Sequence, residues 1–330
     1  MTAGGNMKYA IIADVHGNYP ALRTVLEDAG RKEITRFLFA GDYCISGPWP
    51  EECMNTIRAL ENKTVIRGNE EKYLENLQGK DPAGWTDGQM QASYYAFRNL
   101  SPENREYLLA QPERADFEVH GVPVHMAHSS VGFIGTRAFY TWNSVTVAER
   151  SRLPGADPER ILAGMRDERE KDPEFLEAAS GLEKGVYIFG HSHIQWTWQD
   201  EQAGVYMINP GSCGLPLDGR PDCVPYTVLE ITEEGQVRIE EQQVPFDKAA
   251  YIGTVKQSRM YREANIWSRV ILRELAFARE HVYYFLRFAE QFAKEIGDER
   301  RPYAVDTWER AYEAWKAKQE AEGAGLCCGE

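Results

Sequence analysis

Seven polar residues stand just beyond apolar runs in this chain. They are Asp14 and His16 in "ADVHGN", Asp42 in "AGDY", Asn69 in "RGNE", His128 in "AHSS", and His191 and His193 in "GHSH". Two carboxylates, four imidazoles and one amide oxygen form a nitrogen–oxygen donor set without thiolate. Such a set suits Mn, Fe, Ni or Zn better than a soft-metal or iron–sulfur site, and its size suits a pair of divalent ions better than one. Singly, each residue has an ordinary explanation. Asp14 fits a helix cap, His16 a loop, Asn69 a turn, His128 a satisfied histidine and "HSH" two exposed loop residues. Jointly, their recurrence after separate apolar runs favours a shared metal site. Gly41, Gly68 and Gly190 each directly precede one of these residues, as expected where backbone passes close to something bulky.

The elements that must position them follow from the apolar pattern. "KYAIIADV", "ITRFLFAGD" and "KTVIRGN" read as buried strands, separated by helices over "NYPALRTVLEDAGRK" and "PEECMNTIRALEN". That alternation predicts an open parallel sheet covered by helices, with ligands gathered beyond the carboxyl ends of its strands. A helical, aromatic-rich section runs from about Gly88 to Gln111, with Ser101 as a cap and Pro102 in the first turn. "ADFEVHGVPVHMAHSS" reads as a hairpin turning at Gly121. Residues Ser144 to Ser180 read as a charged helical cap. Strands resume with "GVYIFGHSH", "GVYMINPGS", "YTVLEIT" and "QVRIEEQQV", and everything from "DKAAYIGTV" reads as helical. The organisation expected is a catalytic unit over 1–270, with helical insertions at about 80–115 and 144–180. A helical extension over 271–330 follows, ending in a disordered "EGAGLCCGE".

Composition narrows the class. The 330 residues carry a formal charge of −14, which disfavours tight binding to a long nucleic acid. It leaves room for a small phosphorylated substrate, because bound dications dominate their local field. No apolar run reaches the length of a membrane span, and no secretory signal is legible, so a cytoplasmic location is expected. The six cysteines form no CxxC pair, so reduced structural thiols are expected rather than a disulfide framework.

The ordered set "DVHGN", "GD", "GNE", "H" and "GHSH" resembles the calcineurin-like metallophosphoesterase superfamily. "HGNYPAL", "SGPWPEEC" and "NPGS" make it similar to the bacterial YfcE-type and diadenosine-tetraphosphatase-like branch. The resemblance implies an α+β fold of four layers, α/β/β/α, built on a β-sandwich, in place of the single open sheet. It implies that Asp14, His16 and His193 bind one metal and Asn69, His128 and His191 the other, with Asp42 bridging. Mn is the leading metal, with Fe, Ni or Zn as alternatives. The activity implied is hydrolysis of a phosphodiester, phosphomonoester or phosphoanhydride in a small nucleotide-like substrate, by a metal-bound hydroxide. Asp42, Asn69, Glu70 and His128 are the catalytic candidates, while Asn18 and Arg137 are candidates for holding substrate.

The sequence departs from the superfamily at Glu70. "GNEE" places a carboxylate where the usual motif has a histidine that assists the leaving group. An ionised Glu70 beside dications is a poor acid, so leaving groups that need no proton are favoured, as in aryl esters and phosphoanhydrides. The alternative is a Glu70 facing solvent or paired with Arg67 or Lys72. Tyr94, Tyr95, Trp142, Trp196 and Trp198 suit base stacking or, more simply, core packing. His120 and His125 read as structural. The C-terminal segment carries Ile271, Leu272, Leu275, Phe277, Val282, Phe285, Leu286 and Phe288 at helical spacing, a surface that must pack on the catalytic unit or on a second copy. Two rival functions share the motifs: a non-catalytic phosphoesterase-fold scaffold, which would be expected to lose ligand histidines, and a Ser/Thr protein phosphatase.

Overall fold

The first apolar run forms strand β1 (Met7–Ile12), which in the computed structural model occupies the middle of a five-stranded sheet. The structure describes residues 5–135, 144–153, 155–220 and 222–321. Two parallel neighbours follow β1 on one side, β2 (Arg36–Phe39) and β3 (Asn62–Val65). The crossovers are helices α1 (Tyr19–Arg31) and α2 (Pro50–Ala59). A second five-stranded sheet contains β4 (Arg114–Val119), β5 (Val122–Ala127), β6 (Gly185–Ile188), β7 (Gln195–Asp200) and β8 (Val205–Pro210), in the order β4-β5-β6-β8-β7. Strands β9 (Cys223–Ile231) and β10 (Val237–Pro245) return to the first sheet, antiparallel, so that its order is β10-β9-β1-β2-β3.

The two sheets face each other, and the alternation of side chains along each strand explains why. Ile11 and Leu38 point inward and meet Val124, Met126, Val186 and Ile188 of the other sheet. Their neighbours Ala10, Ile12 and Phe39 point outward, onto Leu22 and Val25 of α1 and Met54 and Ile57 of α2. The outer face of the second sheet, with Tyr187, Phe189 and Met207, is covered by Phe175 and Ala179. Each such buried side chain contributes roughly 1.5–3 kcal/mol. The open parallel sheet read from periodicity is therefore corrected to two mixed sheets in four layers. A strand buried on both faces shows no polar alternation, so β1 and β2 do not reveal in sequence which face meets a second sheet.

Local signals fix the remaining helices. α3 (Asn69–Glu75), α4 (Gln91–Asn99) and α5 (Pro102–Leu109) precede the second sheet. Ser101 caps α5, its Oγ accepting from Asn104 N at 3.2 Å. The β4–β5 turn places His120 and Gly121 at φ 48° and 77°, the left-handed pair that a tight hairpin requires. Between β5 and β6 lie α6 (Val131–Ile134), α7 (Ser144–Arg150), α8 (Pro158–Arg169) and α9 (Pro173–Ser180). Strand β7 was not expected. Its signal, Trp196 and Trp198 alternating with polar residues, is the period of two of a strand with one half-solvated face.

The C-terminal helices are α10 (Lys248–Gln257), α11 (Arg259–Glu263), α12 (Asn265–Phe277), α13 (Val282–Glu295) and α14 (Val305–Ala321). The helical region thus begins at Lys248, and position 270 lies inside α12. Ile271, Leu272 and Leu275 pack on Leu215, Leu217, Tyr251 and Val255. Phe285, Ala289 and Ala293 pack on Trp308 and Trp315. The chain itself thus covers much of this apolar surface. The final nine residues, with Cys327 and Cys328, lie outside the described residues. No described helix is long and apolar enough to cross a membrane.

Candidate metal centre

All seven expected ligands converge at the carboxyl ends of β1, β2, β5 and β6 and at the start of α3. Two clusters form, Asp14 with His16 and His193, and Asp42 with His128 and His191; within each, the donor atoms lie within 4.8 Å of one another. In the first, His16 Nε2 is 3.0 Å from His193 Nε2, and His193 Nε2 is 3.6 Å from Asp14 Oδ1. In the second, His128 Nε2 is 3.1 Å from Asp42 Oδ2 and 3.0 Å from Asn69 Oδ1. The clusters adjoin, for His128 Nε2 also lies 3.9 Å from Asp14 Oδ1.

The backbone is bent to achieve this. Asp14, His16, Asp42, His191 and His193 all have positive φ, between 50° and 70°. Non-glycine residues rarely occupy that region, and a cluster of them marks a functional site. The glycines make room. A Cβ on Gly68 would sit 2.1 Å from Asp42 Oδ1, and one on Gly190 would sit 2.5 Å from Asp14 Oδ2. The bulky thing anticipated beside each glycine is a ligand side chain delivered by a different loop.

Hydrogen bonds at the far side of three imidazoles decide what the near side offers. His128 Nδ1 faces Ala40 O at 2.7 Å, His193 Nδ1 faces Leu215 O at 2.9 Å, and His16 Nδ1 faces Ile45 O at 3.2 Å. A carbonyl only accepts, so each Nδ1 carries the proton and each neutral ring presents an Nε2 lone pair inward. Two such lone pairs 3.0 Å apart, beside carboxylates that also only accept, repel unless a cation or proton lies among them. The donor set therefore fits divalent metal. Where protons take that place, burial opposes the charged rings, but Glu70, Asp42 and Asp14 outweigh it at His16, as do Asp42 and Asp14 at His128. Both are raised to about 10. Burial pushes the Asp14 and Glu70 carboxyls up to about 7, a penalty that a bound dication reverses.

Glu70 lies at the margin of the centre, behind the His16 ring. Its Oε2 is 3.1 Å from His16 Nδ1, and it forms a third cluster with His16 and Asp42, so the pairing with Arg67 or Lys72 is not the one adopted. Several supporting residues were missed in sequence. Glu71 is fully buried and accepts from Asp42 N, Tyr43 N and Gly68 N at 3.0, 3.0 and 2.6 Å, tying the Asp42 loop to the start of α3. Asn209 Nδ2 donates to Gly190 O and Ser192 Oγ, and Ser212 Oγ donates to Asp14 O. The "NPGS" motif thus holds two ligand loops in place. In sequence it registered as a motif of the resemblance, with no supporting role assigned to Asn209 or Ser212.

Asn18, expected at the substrate, is engaged by the fold. Its Oδ1 accepts from Ala21 N to cap α1, and its Nδ2 donates to Gly214 O. Arg137 and Trp142 lie outside the described residues. Tyr94 and Tyr95 are buried, and Arg169 covers the face of the buried Trp196. His125 pairs with Asp116.

Comparison with known proteins agrees with this geometry. The sequence profile described as the calcineurin-like phosphoesterase superfamily domain matches residues 7–234. An uncharacterized protein of Methanocaldococcus jannaschii is 24% identical over 268 residues, spanning 75% of this chain and 91% of its own length. The crystal structure of a metallophosphoesterase from Sphaerobacter thermophilus aligns at TM-score 0.55 and 22% identity, covering 82% of this chain and 99% of that one. A hypothetical protein from Pyrococcus horikoshii aligns at TM-score 0.55 and 19% identity, covering 83% of this chain and all of its own. At these identities, what is shared is the fold.

Proposed function

This chain belongs to the calcineurin-like phosphoesterase superfamily and is a phosphoric ester hydrolase; from that premise we propose that it acts on a small nucleotide-like substrate through two divalent metal ions, in the cytoplasm. The observation that carries this reading is the convergence of histidine Nε2 lone pairs on shared carboxylates, with Asp42 belonging to two donor clusters. In this reading Asp14, His16 and His193 hold one ion, Asn69, His128 and His191 the other, and Asp42 touches both. Ions bound there supply Lewis acidity toward a phosphoryl oxygen and make hydroxide available at neutral pH. Nitrogen and oxygen donors without thiolate suit Mn, Fe, Ni or Zn, and the family resemblance puts Mn first.

The chain's own residues set the rest. The Nδ1 contacts to Ala40, Leu215 and Ile45 fix three rings in one orientation with Nε2 inward, so a binding ion displaces protons only from those inward nitrogens. Glu70 accepts from His16 Nδ1 as a carboxylate, and a carboxylate so engaged does not protonate a departing alkoxide. Phosphoanhydrides and activated diesters, whose leaving groups depart as stable anions, are favoured over alkyl monoesters. The test is turnover by metal-stripped protein after addition of Mn, Ni, Fe or Zn, across nucleotide anhydrides, aryl diesters and alkyl monoesters. Metal-restored hydrolysis of the first two classes is expected. Restoration by no metal, or alkyl monoesters cleaved as fast as aryl diesters, overturns the reading.

A further inference from the structure

A cleft of about 400 Å³ opens beside His191, within the size range of small-molecule sites. It shares Gly190 and His191 with the metal centre, so a substrate whose phosphorus lies at the metals has one substituent directed here. None of the described residues lining the cleft is lysine or arginine, and its one charged group is Glu280. Among the described lining residues a second phosphate would meet Glu280 and no lysine or arginine. The chemistry offered is that of hydroxyls, an amide, a carboxylate and an aromatic ring.

Those groups are built in rather than loosely exposed. Glu280 Oε2 accepts from Ser144 Oγ at 2.5 Å, and its Oε1 accepts from Tyr283 N at 2.8 Å. Glu274, whose carboxyl burial and Glu280 hold well above the usual range, also hydrogen-bonds this carboxylate, which leaves it one lone pair for a ligand. Ser192 Oγ accepts from Asn209 Nδ2 at 2.9 Å, which leaves its own O–H to donate elsewhere. Tyr283, 42% exposed, lines the same cleft. Glu280, in the link between α12 and α13, and Tyr283, in α13, lie beyond the matched superfamily region of 7–234, so the extension completes the site.

We propose that this cleft binds the uncharged, diol-bearing organic group of the substrate, with Glu280 accepting from one hydroxyl of the diol and Tyr283 covering the attached ring. A fixed carboxylate accepts from a ribose 2′-hydroxyl in dinucleotide sites. The proposal rests on the phosphoesterase reading for the position of the phosphate end, while its diol chemistry stands independently. A nucleoside and a simple sugar share that chemistry.

Calorimetric titration of the full chain with adenosine, 2′-deoxyadenosine and methyl riboside, none of which carries phosphate, separates the cases. Adenosine binding that weakens about tenfold without the 2′-hydroxyl, and about tenfold in Glu280→Gln, is the expected result. Methyl riboside binding as tightly as adenosine identifies a sugar as the source, and weaker binding identifies a nucleoside. In parallel, the kcat/KM ratio for the p-nitrophenyl ester of uridine 5′-phosphate over bis-p-nitrophenyl phosphate falls about tenfold in Glu280→Gln. Should that variant not fold, Ser144→Ala, which removes only the hydroxyl orienting Glu280, must weaken adenosine binding in the same direction. Adenosine that does not bind, or that binds all variants and its deoxy form equally, overturns the cleft even if both esters are cleaved. Diol-dependent binding without metal-dependent hydrolysis keeps the cleft and removes the hydrolase.

Discussion

Glu70 Oε2 lies 3.1 Å from His16 Nδ1, on the face of the imidazole opposite the Nε2 that meets His193. The carboxylate that departs from the superfamily's motif therefore acts on a ligand ring from behind. A carboxylate on the outer nitrogen raises the basicity of the inner one and fixes its direction, and loss of such a partner typically costs ten- to a hundredfold in metal affinity. Glu70→Gln is expected to weaken the first metal about tenfold in a competition titration, with turnover recovering at high metal. Ile45 O, 3.2 Å from the same nitrogen, keeps the ring oriented in the variant. Unchanged affinity would mean that Glu70 does not position His16.

Asp42 is the one aspartate among the described residues present in two donor clusters, a position it shares with His16, and its backbone is held by Glu71. Asp42→Ala should abolish turnover on every substrate, roughly a thousandfold or more, and reduce bound metal measured by elemental analysis. Glu71→Gln should act more mildly, since its amide oxygen can still accept from Asp42 N and Gly68 N, while its amide nitrogen leaves Tyr43 N without an acceptor. Asp42→Ala protein that keeps both full metal content and turnover would remove the shared-carboxylate arrangement.

Glycine substitutions separate close approach from ordinary surface. Gly68→Ala places a methyl group within 2.1 Å of Asp42 Oδ1 and 2.8 Å of its backbone nitrogen. Something must move, at a cost of about 1–3 kcal/mol, and the movement displaces a ligand. Metal affinity and activity are expected to fall together, alongside a lower melting temperature. Gly30, near the end of α1, has nothing within 4 Å of its Cβ position, so Gly30→Ala should stabilise by about 0.5–1 kcal/mol without touching activity. Equal outcomes for the two variants would contradict the packing described.

Which residues bear donors was legible in the sequence, because Asp14, Asp42, His128 and His191 each follow a separate apolar strand. How they meet was not. Five ligand residues adopt left-handed backbone, a cost the surrounding loops impose and that residue type does not announce. The split into two sheets was hidden for a related reason. Ile11 faces the other sheet while Ala10 and Ile12 face helices, and all three are apolar. Glu280 and Tyr283 were invisible as site residues because their approach to the cleft depends on how α12 and α13 pack, which heptad-like spacing leaves open.

Packing of those helices also makes a pH prediction away from the metals. His281 precedes α13, and its Nδ1 donates to Arg279 O at 2.8 Å. Burial lowers it from an ordinary value of 6.5 to about 4, with Arg273, Arg152 and Arg279 adding to the effect. A base lowered by folding stabilises the native state above its unfolded value, and that contribution is lost as pH falls from 6.5 towards 4. The loss is on the order of 2 kcal/mol. Glu274, which accepts from His281 N and whose carboxyl burial and Glu280 hold well above the usual range, works in the opposite sense. It gains protons on folding as pH falls, so the parent's own pH profile mixes the two. The difference between parent and His281→Gln isolates the imidazole, because glutamine can still donate to Arg279 O without titrating. In urea unfolding at pH 7 and pH 4.5, the variant should gain on the parent at the lower pH. A constant difference would place His281 in contact with solvent in the native state.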